Sequence, residues 1–163
     1  MNIYKKIFLK ISNVLKTYLG DRVETDVKRY EDGYEEYTLT IKDADIWITC
    51  DDYEIIVGNG YPHLHINEDY GGLKEGLEIL LNMFTKKKKV TEFYKGKYCY
   101  KTEIEIEEGE NKYRPFSNTT VLLYPFWKKT RKNIHFQEPL VNPEQVKQEI
   151  EEIKELGNRR CIK

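Results

Sequence analysis

The chain has 163 residues, a formal net charge of −1, 39% hydrophobic residues, 34% charged residues and 13 tyrosines. That length buries a core without disulfide or metal staples, and the aromatics supply large apolar surfaces that a disordered chain lacks. No stretch approaches the roughly 18 consecutive apolar residues of a membrane span, and Lys5, Lys6, Lys10 and Lys16 break up the N-terminal region where a secretory signal needs an apolar run.

The first segment reads as a helix, with Ile7, Phe8, Ile11, Val14, Leu15, Tyr18 and Leu19 on one face at 3.6-residue spacing and Gly20 as its C-terminal stop. A basic amphipathic helix of this kind lies either on an anionic membrane or, more simply, on a sheet. Residues 22–66 alternate as strands: Tyr37, Leu39 and Ile41, then Ile46, Ile48 and Cys50, then Tyr53 to Val57. Turn residues at Glu31-Asp32-Gly33, Lys42 to Asp45, Asp51-Asp52 and Gly58-Asn59-Gly60 separate them. Short strands with short turns form an antiparallel meander, because parallel pairing needs long crossovers.

A second helix follows, with Leu73, Leu77, Leu80, Leu81 and Phe84 on one face. The lysine run Lys86 to Lys89 after it complements the helix dipole and solvates the turn. Strands are then expected at Val90–Tyr94 and Tyr98–Glu107. The latter turns Tyr98, Tyr100, Thr102, Ile104 and Ile106 inward and Glu103, Glu105 and Glu107 outward. Thr119–Tyr124 reads as a strand stopped near Pro125, and Asn133–Phe136 as a short edge strand. Asn142, Pro143 and Glu144 start a last helix with Val146, Ile150, Ile153 and Leu156 on its apolar face; Gly157 ends it, and 158–163 follows as a mobile tail. The expected architecture is a single α+β domain over 1–163: one antiparallel sheet of about five to eight strands, with three helices packed mainly on one face. Cys50, Cys99 and Cys161 are odd in number and lack a Cys-x-x-Cys pair, which fits reduced thiols in a cytoplasmic protein.

Charge is segregated along the chain. Residues 21–69 carry a net −10 and residues 102–110 a net −5, against +4 over 1–20 and +5 over each of 70–101 and 111–163. Acidic strands and turns repel phosphates and suit a cationic protein partner, although charge alternation also simply solvates a sheet. Phe126-Trp127 followed by Lys128, Lys129, Arg131 and Lys132 resembles a stacking-and-phosphate pattern, but the acidic blocks oppose the field that nucleic acid requires.

Catalytic signatures are absent: there is no phosphate loop and no nucleophile elbow. His63 and His65 share one side of a strand and supply two of the ligands a zinc site needs; Glu68, Asp69 and His135 are candidates for a third, with no spacing to fix one, and packing among tyrosines is the simpler role. No metal and no cofactor is therefore expected.

The run Tyr53-Glu54-Ile55-Ile56-Val57-Gly58, followed by Tyr61-Pro62-His63-Leu64-His65-Ile66 and the helix Leu73–Phe84, resembles bacterial immunity proteins of polymorphic toxin systems. The shared features are a strand ending in Val-Gly, an aromatic and histidine strand, an acidic turn and a helix leading to further strands. The resemblance covers residues 53–107 and departs from the pattern at Pro62 and at Ile66, where an aromatic is more usual. It implies a non-enzymatic protein that binds and neutralises one cognate toxin, often a nuclease, and it supplies no matched set of contacts. With the acidic strands, it makes Asp51, Asp52, Glu54, Glu68, Asp69, Glu103, Glu105 and Glu107 the expected contacts for a cationic toxin domain, joined by Tyr61; Trp47 is either an apolar anchor or core. Nucleic acid and membrane are not expected partners. The alternative is a small metal-dependent hydrolase or ligand-binding protein using His63 and His65.

Overall fold

The computed structural model describes residues 2–60, 63–68 and 72–158. Its elements are α1 (Ile3–Leu19), β1 (Val23–Arg29), β2 (Glu35–Ile41), β3 (Ile46–Cys50), β4 (Ile55–Asn59), β5 (His63–Ile66), α2 (Gly72–Thr85), β6 (Lys88–Lys95), β7 (Tyr98–Gly109), β8 (Lys112–Thr120), β9 (Thr130–Gln137) and α3 (Lys147–Asn158). The fold is α+β and every strand pairing is antiparallel. The single sheet expected from the sequence is instead two sheets, ordered β1-β2-β3-β4-β5 and β8-β7-β6-β9. Alternation in a sequence reports which face of a strand is buried, not which strand lies beside it; here α2 intervenes in the chain between β5 and β6, and the strands on either side of it pair only among themselves. The chain divides into two compact units, 1–82 with 141–163, and 83–140.

In the first unit, Asn2 caps α1 by accepting the Lys5 amide at 2.9 Å, and Gly20 stops it with a φ of +56°. Tyr4, Ile7, Phe8, Ile11, Leu15 and Leu19 are buried along one side of the helix. The facing side of the sheet is a second apolar surface: Val23, Leu39, Ile41, Ile46, Ile48, Cys50, Ile55, Val57 and Ile66 are all buried. α1 lies against β1 and β3 and packs on α3. At Gly76 of α2 an added Cβ would sit 2.6 Å from Ile66, so only a glycine lets that helix approach β5 so closely. Gly157 stands within the last turn of α3 rather than beyond it, and an added Cβ there would meet Leu77 at 2.8 Å. Asn142 accepts the Glu144 amide at 3.0 Å in the turn leading to α3, so its capping role is kept while the helix proper begins at Lys147. Of the tail expected over 158–163, Asn158 is the last residue of α3 and 159–163 lie outside the described residues.

In the second unit, Val90, Ile104 and Ile106 are buried on one side of the four-stranded sheet. Lys88 joins them. The lysine run does not solvate a turn throughout, because β6 starts at Lys88 and the strand's alternation sends that side chain inward, where it is 2% exposed. Tyr98, expected inward, is 62% exposed, and the register of β6 against β7 shifts between Phe93 and Tyr94. The strand expected at Thr119–Tyr124 ends at Thr120, and Val121 to Leu123 are exposed. β8 itself shows no apolar alternation and holds Pro115, which it tolerates as an edge strand with a bulge: Ile104 pairs with Ser117 and Glu105 with Pro115, skipping Phe116. β9 is an edge strand, as expected, but longer.

Candidate functional site: the open face of the five-stranded sheet

Helices cover one side of the first unit's sheet, and the side chains of alternate residues must point to the other. Register puts these in rows: Glu24, Thr40, Trp47, Gly58 and His63 in one, and Asp26, Thr38, Thr49, Ile56 and His65 in the next. Lys28 and Glu36 start a third row, which continues toward Asp51 and Glu54 beyond the paired strand ends. Glu24, Asp26, Thr40 and His63 are exposed, and Thr38, Trp47, Thr49 and Ile56 are half-buried, as an uncovered sheet face requires.

The acidic loop at one end of this face is held rigidly. Asp51 Oδ1 accepts the Tyr53 and Glu54 amides at 2.7 and 2.9 Å, and its Oδ2 accepts the Tyr34 hydroxyl at 2.8 Å. The hydrogen bond to Asp51 raises the Tyr34 pKa well above the ordinary phenol value, so Tyr34 stays a neutral donor. Glu54 Oε2 lies 2.9 Å from both His65 Nδ1 and Asn67 Nδ2, and the amide donates; a proton on Nδ1 makes His65 a donor as well. The Tyr34, Glu36, Thr49, Asp51, Glu54 and Ile56 side chains line a hollow of about 130 Å³, smaller than the roughly 300 Å³ at which small-molecule sites begin. Glu24, Thr25, Asp26, Thr38 and Thr40 line a wider depression of about 500 Å³ that opens broadly to solvent, so the carboxylates border an open surface.

At the other end, Trp47 Nε1 donates to the Gly60 carbonyl at 3.1 Å. The rings of Trp47 and His63 are 6.1 Å apart, and those of His63 and His65 are 5.2 Å apart, edge to face. Trp47 therefore belongs to the open face and not to the core. The two histidines share that face, as their spacing predicts. Among the described residues, no group of three or more His, Cys, Asp or Glu side chains is placed to hold a metal ion.

Among the described residues, the carboxylates Glu24, Asp26, Glu36, Asp51 and Glu54 stand on this face, with Lys28, Lys42 and, at its end, Arg22 as the cations. Lys42 pairs with Glu24 at 2.9 Å, and Lys28 lies over the Tyr30 ring at 4.6 Å. Of the other expected contacts, Asp52, Glu103, Glu105 and Glu107 are placed away from this face. Asp52 is turned to the start of α1, where it accepts the Asn2 side-chain amide at 2.8 Å and pairs with Lys5 at 3.1 Å; this hydrogen bond holds the Lys5 pKa above its ordinary value. Glu68 is exposed just after β5, while Tyr61 and Asp69 lie outside the described residues. Glu103, Glu105 and Glu107 share a face of β7 in the second unit, as alternation predicts, but lysines are interleaved with them. Glu103 pairs with Lys101 and Glu105 with Lys89, each at 2.6 Å, and Lys87 and Lys89 lie over the Phe136 and Tyr113 rings. Lys101 of the same strand and Lys89 of β6 thus pair with two of the three carboxylates on this face of β7.

Glu24, Asp26 and Glu36 went unselected among the sequence candidates. Their signal was the period-two pattern of Val23, Thr25 and Val27 against Glu24 and Asp26, which marks an acidic outer side of β1. Among the described residues, no helix is long and apolar enough to cross a membrane. Comparison with known proteins finds no matching family model, no matching curated protein and no matching solved structure.

Proposed function

We propose that this chain is a non-enzymatic immunity protein that neutralises a cationic toxin domain by docking it on the open face of the five-stranded sheet. The observation that carries this reading is the carboxylate set Glu24, Asp26, Glu36, Asp51 and Glu54 on an uncovered sheet face with few cations of its own. Such a face draws a basic protein surface from a distance and disfavours phosphate-bearing ligands. Trp47 and His63 supply the flat aromatic surface on which contacts of this kind concentrate their affinity. Asp51 and Glu54 are held by internal hydrogen bonds, so they meet a partner without further ordering. The resemblance of residues 53–107 to immunity proteins names the class of partner; occlusion of the toxin's substrate-binding lysines and arginines is the mechanism.

The test is binding of the full chain to the product of the neighbouring reading frame, with the interface mapped by amide hydrogen exchange. Protection of β2 to β5 and loss of binding on charge reversal at Glu24, Asp26 and Glu36 support the reading. Binding that leaves this face unprotected overturns it.

A further inference from the structure

The segment from Asn111 to Gln137 contains no acidic residue and carries Lys112, Arg114, Lys128, Lys129, Arg131 and Lys132. Within it, the connection from β8 to β9 exposes an unusual amount of apolar surface. Leu122 and Leu123 are 89% and 92% exposed, and Phe126 and Trp127 are each 73% exposed. An apolar patch of this kind on a folded chain marks a contact surface.

The loop is anchored to Tyr100 at Val121 and Tyr124, and a Lys128 amide to Pro125 carbonyl bond at 3.0 Å closes a turn around Phe126 and Trp127. Val121 donates its amide to the Tyr100 carbonyl at 2.7 Å, and the Tyr124 ring stacks on Tyr100 with centroids 4.4 Å apart. The two leucines lie between these two anchor points, and the Phe126–Trp127 pair, edge to face at 5.2 Å, follows them. The basic groups gather at the same end of the sheet. Thr130 pairs with Lys95 in register, and Lys128 runs across the Lys95-Gly96-Lys97 turn so closely that a Cβ on Gly96 would meet it at 2.9 Å. Lys95, Lys97, Lys128 and Lys129 therefore gather at the end of the sheet where the Phe126–Trp127 pair leads into β9.

We infer that this loop docks the second unit on an anionic lipid surface. Leu122 and Leu123 enter the acyl boundary, Trp127 and Phe126 take the interfacial level where amphipathic rings are favoured, and the four lysines meet anionic headgroups. Single-stranded nucleic acid would use the lysines and the two rings, but it offers nothing to a pair of protruding leucines. The inference concerns a surface remote in sequence from the carboxylates of β1 to β4 and stands whether or not that reading holds.

The experiment is co-sedimentation of the full chain with vesicles of phosphatidylcholine and phosphatidylglycerol, beside vesicles of phosphatidylcholine alone. Binding to the anionic vesicles is expected, with a blue shift of tryptophan emission that survives in Trp47→Phe and is absent in Trp127→Phe. Leu122→Ser with Leu123→Ser should abolish it while circular dichroism is unchanged, since both side chains lie outside every strand. Lys128→Gln with Lys129→Gln should weaken partitioning about thirtyfold. Absence of binding to anionic vesicles overturns the inference, as does partitioning that the leucine pair leaves untouched. It is equally overturned if, without vesicle binding, the leucine pair abolishes a dimer in solution or capture of single-stranded DNA.

Discussion

The Trp47 indole lies across Gly58 on the neighbouring strand, so close that a Cβ on Gly58 would stand 2.2 Å from the ring's Cε2. A glycine in the interior of β4 costs strand propensity, and what it gives in return is a flat seat for the ring, pinned at the same edge by the bond from Nε1 to the Gly60 carbonyl. Gly58→Ala should therefore destabilise the chain by about 1–3 kcal/mol. It should also shift tryptophan emission as the ring is displaced. In Trp47→Ala the same glycine change should cost much less. A chemical-denaturation cycle over the four proteins measures this coupling, and additive effects would show that the ring is not seated on Gly58.

The acidic face predicts salt-sensitive association. Added salt shortens the Debye length from about 30 Å at 0.01 M to about 10 Å at 0.1 M, which slows the encounter with a cationic partner. Glu24→Lys, Asp26→Lys and Glu36→Lys together should lower the on-rate about tenfold or more and flatten its salt dependence. Reversing Glu103, Glu105 and Glu107 to lysine should instead destabilise the four-stranded sheet, because it sets like charges at 2.6 Å pairings with Lys101 and Lys89. Stopped-flow kinetics and thermal melts of both triple variants separate the two outcomes.

Lys88 predicts an alkaline gain in stability. Burial lowers its pKa from 10.5 to about 8, and its Nζ donates to the Met83 carbonyl at 3.2 Å. Below about pH 8 the lysine is charged in both folded and unfolded chains, and the folded state bears the desolvation cost. Between 8 and 10.5 the unfolded chain holds the proton more tightly, so this group's contribution to stability rises with pH. Lys88→Met should be more stable than the wild type at pH 7, by an amount on the order of 3 kcal/mol at most. That advantage should shrink toward pH 10. Melting temperatures of the two proteins across this range give the difference directly, other alkaline groups being common to both.

The cysteines should differ in reactivity. Cys50 is buried in the sheet core, and desolvation pushes its thiol up to about 12, whereas Cys99 is exposed on β7. Iodoacetamide at pH 8 should label the Cys99 peptide in the native protein and leave the Cys50 peptide unmodified until denaturant is added. Mass spectrometry of the peptides reads both sites, and rapid native labelling of Cys50 would show that β3 opens.

Local pattern alone was enough for the three helices and for most strand faces. Ile7 to Leu19, Leu73 to Phe84 and Val146 to Leu156 repeat at helical spacing, and the inward sets of β2 and β3 alternate strictly, because a buried face imprints its period on the residues that form it. The common side of His63 and His65, and of Glu103, Glu105 and Glu107, follows from the same two-residue period. Pairing leaves no such imprint. Which strands are neighbours is settled by long-range closure, and with it came the split into two sheets, the seat of Trp47 on Gly58, and the pairing of Lys89 with Glu105. Tertiary contacts also set where β6 begins and β8 ends: β6 reaches back to Lys88, two residues from Val90 and so on its buried side, while β8 stops at Thr120 and leaves Leu122 and Leu123 exposed.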